Sequence, residues 1–342
     1  MSDAGSLLEV TDLHVEFTTD EGPLTAVDGV SFEVRPHEVL GVVGESGSGK
    51  TVTALAILGL LPKKTTITGS AKWRGRELIG LRDDDLRPLR GEEIAIVFQD
   101  ALASLNPVFT VGRQIGEAVS VHHDVGDKEL KERVLELLDL VGIPNPRQRT
   151  DQYPHEYSGG MRQRAMIAMA LANDPALLIA DEPTTALDVT LQAQVLEVLE
   201  RIQERTRSSI MLITHDLGVV AGLADRVTVM YAGRHIETAS VDDLFYAPRH
   251  PYTLGLLASL PRLDRRSHGS RLYRIKGQPP SLVDRPSGCT FHPRCDFATL
   301  PEPCATTVPD VFEVGPSHHS ACHNWRTLED LTPEQLREVR EA

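Results

Sequence analysis

Cysteine is absent from the first 288 of the 342 residues; all four cysteines fall between Cys289 and Cys322. Disulfide scaffolds spread paired cysteines through a small domain, so this confinement excludes such a framework and points to metal ligation in one segment. Long apolar runs are also missing. The longest, 54–61, is far short of the roughly 20 residues that span a bilayer, so membrane work would need spanning helices from other subunits. The opening MSDAGSLLEVTD has neither a basic start nor an apolar core, and no secretory signal is expected. Positive charge is scarce: 35 Lys and Arg stand against 49 Asp and Glu, a net charge of −14. Nucleic-acid phosphates are bound by clustered cations, and no basic stripe offsets the acidic balance, so no nucleic-acid partner is expected. Neither an internal repeat nor a low-complexity tract is present.

What is there is ample apolar material, 41% of the chain, enough to bury a real core. The length suits two domains, or one large domain with an appendage. Five short apolar, β-branched runs, at 39–43, 94–98, 177–181, 210–214 and 227–231, read as buried strands. Helical patterns separate them, which argues for an α/β domain with a largely parallel sheet. The earlier stretches 7–17 and 26–34 alternate more and predict an antiparallel flank. The stretch 99–162 differs: residues 127–141 place Val134, Leu137, Leu138 and Val141 on one helical face, so a helical insertion is expected between two core strands. Beyond Tyr231 the composition shifts. Residues 261–286 are rich in Arg, Pro and Ser, like a linker, and 288–325 hold the cysteines and several histidines.

Gly44-Glu45-Ser46-Gly47-Ser48-Gly49-Lys50-Thr51 fits G-x-x-x-x-G-K-[ST], between the strand VLGVV and the helical TVTALAILGLL. Glycines let the backbone wrap so that successive N–H groups point inward, and the helix N-terminus adds favourable partial charge for phosphate. Lys50 would reach the β- and γ-phosphates of a nucleotide, and the Thr51 hydroxyl would ligate Mg²⁺. Downstream, the run 177–181 ends in Asp181-Glu182. A carboxylate at the C-terminal edge of a parallel sheet can hold Mg²⁺, and the next acid can polarise an attacking water. His215 follows a third apolar run, IMLIT, and is a candidate contact to γ-phosphate and water.

With these residues in hand, the chain resembles the ABC ATPase family. The decisive segment is Tyr157-Ser158-Gly159-Gly160-Met161-Arg162-Gln163-Arg164, similar to the signature LSGGQ-x-x-R, with Met161 in place of the usual Gln. Ser158, Gly159 and Gly160 open a helix and would present N–H groups to an anion. In that family the anion is the γ-phosphate held by the opposite subunit, so two ATP molecules join two subunits. The resemblance implies further roles. Gln99 matches the glutamine that senses Mg²⁺ and the membrane subunits. Ala186-Leu187-Asp188 matches the loop at the dimer seam, and Phe17 the aromatic residue that stacks on adenine. It also implies a P-loop NTPase core at 6–260 with a helical subdomain inserted at about 100–165, a linker at 261–287 and a small cysteine lobe at 288–330.

Gln99-Asp100, Ser104-Leu105-Asn106-Pro107, His250-Pro251-Tyr252-Thr253 and Gly288-Cys289-Thr290-Phe291-His292-Pro293-Arg294-Cys295 are similar to the oligopeptide/dipeptide/nickel importer branch, and most to its D-type ATPases. That branch implies a peripheral ATPase at the cytoplasmic face of the membrane. Its partners there are a second, F-type ATPase subunit, two transmembrane permease subunits and an extracellular substrate-binding protein. The cargo is peptide, with nickel or glutathione as alternatives. A soluble ABC ATPase uncoupled from transport is the rival class. Its DNA-repair members carry a long coiled-coil insertion and its ribosomal members two ATPase domains, and this chain shows neither.

Cys289, Cys295, Cys304 and Cys322 are separated by 5, 8 and 17 residues. Four thiolates suit a [4Fe–4S] cluster or a tetrahedral Zn²⁺, and the resemblance favours the cluster. His292, His318, His319 and His323 are possible substitutes in a mixed site. Four reduced cysteines packing a small lobe is the third reading.

Overall fold

The computed structural model describes residues 5–20, 22–99, 104–185, 187–260, 273–329 and 331–339. Asp100, Ala186 and the first part of the expected linker lie outside the described residues. In chain order the strands are β1 (Leu8–Thr19), β2 (Gly22–Val34), β3 (Val39–Val43), β4 (Thr65–Trp73), β5 (Arg76–Glu77), β6 (Ile94–Val97), β7 (Leu177–Asp181), β8 (Ser209–Thr214), β9 (Arg226–Tyr231), β10 (Arg234–Ser240), β11 (Phe312–Gly315) and β12 (His318–Ser320). They fall into two units, each assembled from separated stretches of chain.

The first unit comprises Met1–Leu7, Val34–Val39 and Gly80–Ile213. Its sheet is parallel, with β7 between β6 and β8; Ile179 pairs with Ile96 on one side and with Met211 on the other. Every residue of β7 and β8 is buried. Strands covered on both faces have no polar side to show, which is why they read as unbroken apolar runs. Between β6 and β7 the described chain is helical, with no strand. Thr110 caps the helix Val111–Ser120 by accepting from the Arg113 amide at 3.4 Å. The helix Asp127–Leu140 buries Val134, Leu137 and Leu138, the stripe that the sequence pattern predicts. The two helices lie side by side at Gly116, where a Cβ would make an ordinary contact with Leu130 Cδ2 at 3.5 Å.

The second unit comprises Leu8–Glu33, Leu40–Ile79 and Thr214–Ala342. It holds an antiparallel sheet of order β2-β1-β4-β5, the expected flank, extended by two strands that the alternation of 7–17 and 26–34 did not announce. Separately, β3 lies parallel to β9, with Gly41 opposite Val227. The antiparallel β10, β12 and β11 continue outward from β9. Leu254 and Ala258 of the helix Pro251–Ser259 pack with Leu328 and Leu336 and draw in Tyr273, Phe297 and Leu331. No helix among the described residues is long and apolar enough to cross a membrane.

His250 caps that helix: its Nδ1 accepts from the Tyr252 amide at 3.1 Å, and its ring is 1% exposed and packs on Phe291. Burial alone pushes the ring pKa down to about 3. The unfolded chain takes up this proton near pH 6.5, whereas the folded chain resists until about pH 3. Between those limits the unfolded state binds more protons, so stability falls as pH falls below about 6.5. At pH 5 this one group should cost about 2 kcal/mol relative to pH 7. Urea unfolding at both pH values checks it: His250→Asn, which keeps a capping acceptor without titrating, should flatten the dependence by about that amount.

Candidate functional site

The loop 44–51 belongs to the second unit. It runs from the fully buried β3 into the helix Lys50–Ile57, and its glycines are required by space and by backbone angle. A Cβ on Gly44 would sit 2.2 Å from the Met230 carbonyl oxygen, and one on Gly49, at φ +98°, would sit 2.7 Å from that of Ala26. Only hydrogen side chains allow the backbone to pass so close to β9 and β2. Ser46 and Gly47 are exposed, while Ser48, Gly49 and Lys50 are buried. Lys50 Nζ donates to the carbonyl oxygens of Gly44 at 2.7 Å and Glu45 at 3.1 Å, and to Ser48 Oγ at 3.4 Å. The ammonium is therefore held at the centre of a glycine cradle that opens a helix, the arrangement that phosphate oxygens fit. Thr51 is exposed at the helix start. His215, just past β8, and Phe17, half-buried on β1 opposite Thr65, belong to the same unit.

The first unit holds the acids. Asp181 ends β7 and is 3% exposed. Glu182 follows at φ +47°, a left-handed backbone that is uncommon outside glycine, and its amide donates to the Ile213 carbonyl at 2.9 Å. Two donors converge on one carboxylate oxygen, Oε2: Thr185 Oγ1 at 2.7 Å and Gln99 Nε2 at 3.3 Å. The expected pair Gln99 and Glu182 thus meets directly, and Thr185 is a holder that the motifs did not single out. An acid whose carboxylate is oriented by two donors, on a strained residue at a strand end, is suited to orient and polarise a water.

The segment 157–164 is in the first unit too. Ser158 caps the helix Gly159–Ala170, accepting from the Met161 amide at 3.3 Å. Ser158 and Gly159 are exposed, and no atom comes within 4 Å of a Cβ built on Gly159, so this helix end faces open space. At Gly160 a Cβ would collide with Leu191 Cδ2 at 2.6 Å. Asp188 caps the helix Val189–Thr206, accepting from the Leu191 amide at 3.0 Å. The two helix starts are therefore locked together through Gly160 and Leu191.

Among the described residues no group of three or more His, Cys, Asp or Glu side chains is arranged to hold a metal ion. Cys304 and Cys322 are buried, and Cys289 and Cys295 partly so. Burial, and then the neighbouring thiols, push the thiol of Cys295 up to about 12 and that of Cys322 higher still. Cys289, Cys295 and Cys322 each feel neighbouring cysteines because the thiols lie close together. Three of the histidines have other engagements: His292 Nδ1 with the Cys289 carbonyl, His318 Nε2 with buried Glu237 and His323 Nε2 with the Thr307 carbonyl. The [4Fe–4S], Zn²⁺ and mixed-site readings therefore find no support among the described residues, where all four cysteines are free of disulfides.

Two residues of the importer-branch segments, outside the nucleotide motifs, reach the phosphate loop. Tyr252 Oη accepts from the Glu45 amide at 3.0 Å, and Arg294 grips the Glu45 carboxylate. No local signal could have revealed a pair 249 positions apart.

Comparison with known proteins gives the family. Residues 27–185 match the family model described as ABC transporter, and residues 236–304 that of the oligopeptide/dipeptide transporter, C-terminal region. The oligopeptide transport ATP-binding protein OppD of Mycobacterium tuberculosis is 53% identical over 92% of this chain, which spans about half (51%) of that relative's length. OppD of Salmonella typhimurium is 48% identical, with 96% of each chain covered. The probable peptide ABC transporter ATP-binding protein y4tR of Sinorhizobium fredii is 52% identical over 95% of this chain and 96% of its own. Among solved structures, the dimeric ATP-binding cassette MJ0796 bound to ADP and Pi superposes with a TM-score of 0.62 at 25% identity, covering 68% of this chain and 98% of the cassette. The cbiO1 protein of Clostridium perfringens gives 0.60 at 27% identity, covering 70% and 90%.

Proposed function

This chain belongs to the ABC transporter ATP-binding family, and from that premise we propose that it is the ATP-hydrolysing subunit of a peptide importer. The carrying observation is the glycine cradle around Lys50, in a chain whose likeness to OppD of Salmonella typhimurium runs through 96% of each sequence. The coarse result is ATP binding and hydrolysis; the finer assignments follow the order of the motifs.

Lys50 and the amides of 44–51 grip the β- and γ-phosphates, and Phe17 stacks on adenine. Thr51, Asp181 and Gln99 supply the hard oxygen donors that suit Mg²⁺, which neutralises charge on the phosphates when bound. Glu182 orients and polarises the attacking water, with His215 beside the γ-phosphate. Ser158, Gly159 and Gly160 cap the γ-phosphate held by a second ATPase subunit, and Asp188 lies at the seam. On this reading 6–260 form the ATPase domain, about 100–165 its helical insertion, 261–287 a linker and 288–330 a C-terminal lobe. Closure on ATP is a population shift, because the ligand binds mainly the closed pair. That closure drives two transmembrane permease subunits fed by an extracellular peptide-binding protein. The second ATPase is a related F-type chain, and the assembly sits at the cytoplasmic face of the membrane.

Affinity purification of this chain from detergent-solubilised membranes should bring down two hydrophobic permease subunits and a second ATPase. Recovery of this chain alone, from membranes that contain those permeases, would contradict the assignment.

A further inference from the structure

The phosphate loop contains an acid. Glu45 stands second in the 44–51 loop, so a carboxylate is built beside the place where phosphates are to be bound. Left without a counter-charge, it would repel the nucleotide and loosen the loop. The structure answers this with one side chain from the far end of the sequence. Arg294 Nη1 donates to Glu45 Oε2 at 2.6 Å and Nη2 to Oε1 at 3.1 Å, a two-pronged pair.

The arginine is itself fixed. It is 6% exposed, its Nε donates to the Lys276 carbonyl at 2.8 Å, and Nη1 also reaches Tyr231 Oη at 3.3 Å. Its guanidinium lies 5.7 Å from the Tyr231 ring centroid and 6.0 Å from that of Phe291. Burial works against its charge, but the bonds to Glu45 and Tyr231 outweigh burial and hold its pKa above the usual arginine value. Glu45 is gripped at a second point, where its amide donates to Tyr252 Oη. Tyr252 packs in turn on Tyr231 and Phe291, with centroids 4.7 and 5.4 Å away. Both the side chain and the main chain of Glu45 are thus held by residues beyond position 250.

We propose that Arg294 is a positioning residue for nucleotide binding: it neutralises Glu45 and holds the phosphate loop preformed, so that the C-terminal segment completes the ATP site without touching ATP. This rests on the loop's being that site. The bland alternative is that Arg294 only fastens the C-terminal segment to the rest of its unit, using Glu45 as a convenient anchor. The two differ in what removing Glu45's charge does: it relieves a nucleotide-binding defect in the first case and leaves it in place in the second.

The test is a titration of full-length variants with Mg-ATP, with thermal midpoints recorded alongside. Arg294→Gln should weaken Mg-ATP binding at least about tenfold, because it leaves a partly buried carboxylate uncompensated. Adding Glu45→Gln should return affinity to within about threefold of wild type, as expected when a double-mutant cycle reports direct coupling. Arg294→Lys, which keeps the charge but loses the fork, should fall between. Unchanged affinity in Arg294→Gln, or a loss that Glu45→Gln does not relieve, overturns the proposal. Should Arg294→Gln fail to fold, Arg294→Lys decides: it should weaken Mg-ATP binding by about threefold or more, a loss that adding Glu45→Gln relieves, and unchanged affinity or an unrelieved loss overturns the proposal. Lys50→Ala separates the two levels. If wild type saturates, Lys50→Ala does not, and Arg294→Gln matches wild type, the ATP site stands and only the role of Arg294 falls. If wild type itself does not bind Mg-ATP, both fall.

Discussion

Glu182→Gln should slow ATP hydrolysis by about 10²- to 10⁴-fold, the range a positioned general base contributes, while Mg-ATP affinity changes by no more than about twofold. The substitution is nearly isosteric and keeps an oxygen able to accept from Thr185 Oγ1, which now donates at 2.7 Å. The left-handed turn at φ +47° and the Glu182 amide bond to Ile213 are main-chain features that the change does not touch. What disappears is the negative charge proposed to polarise water. A base acting only in the transition state lowers turnover without altering ground-state binding. With binding intact and hydrolysis blocked, ATP-bound subunits should accumulate as closed pairs. Single-turnover hydrolysis with radiolabelled ATP, beside size-exclusion chromatography in Mg-ATP, checks both halves. Hydrolysis at the wild-type rate would remove Glu182 from its assigned role.

The second large effect is at Lys50. Lys50→Ala should weaken Mg-ATP binding by about 2–4 kcal/mol, roughly 30- to 1,000-fold in Kd, the scale for losing one partner of a charged contact. The buried ammonium now donates to two loop carbonyls and Ser48 Oγ, so its loss also leaves those acceptors to water. The glycine geometry at Gly44 and Gly49 does not depend on Lys50. The variant should therefore fold, with its thermal midpoint lowered by only a few degrees, as about 1 kcal/mol implies for a chain of this size. Calorimetric titration separates the two contributions: a collapse of affinity with little loss of stability is the expected pattern.

The features legible in the sequence are those whose physics is local. Strands β3 and β7 begin and end where their apolar runs do, because a strand buried on both faces has no polar side to interrupt the run. The phosphate loop was legible because its backbone path excludes a Cβ at Gly44 and Gly49, a demand written directly into residue type. Ser158 and Asp188 cap helices as their side chains predict. Strand β4 was not legible. Most of Thr65–Trp73 is exposed or half-buried, so no apolar rhythm marks it, and Gly69 breaks it where its backbone nears the Asp12 carbonyl. The cysteines' number and confinement suggest a metal, but spacing along a chain carries no information about where side chains point, and no metal-holding group is found among the described residues. The hold of Arg294 on Glu45 joins positions with nothing between them in sequence to announce it.

One titration bears most directly on the account: wild-type chain against Mg-ATP, with Lys50→Ala in parallel. Saturable binding near one nucleotide per chain, lost in the variant while its fold is retained, is the predicted result. A folded wild-type chain that takes up no nucleotide, or a Lys50→Ala chain that binds as tightly as wild type, would contradict it.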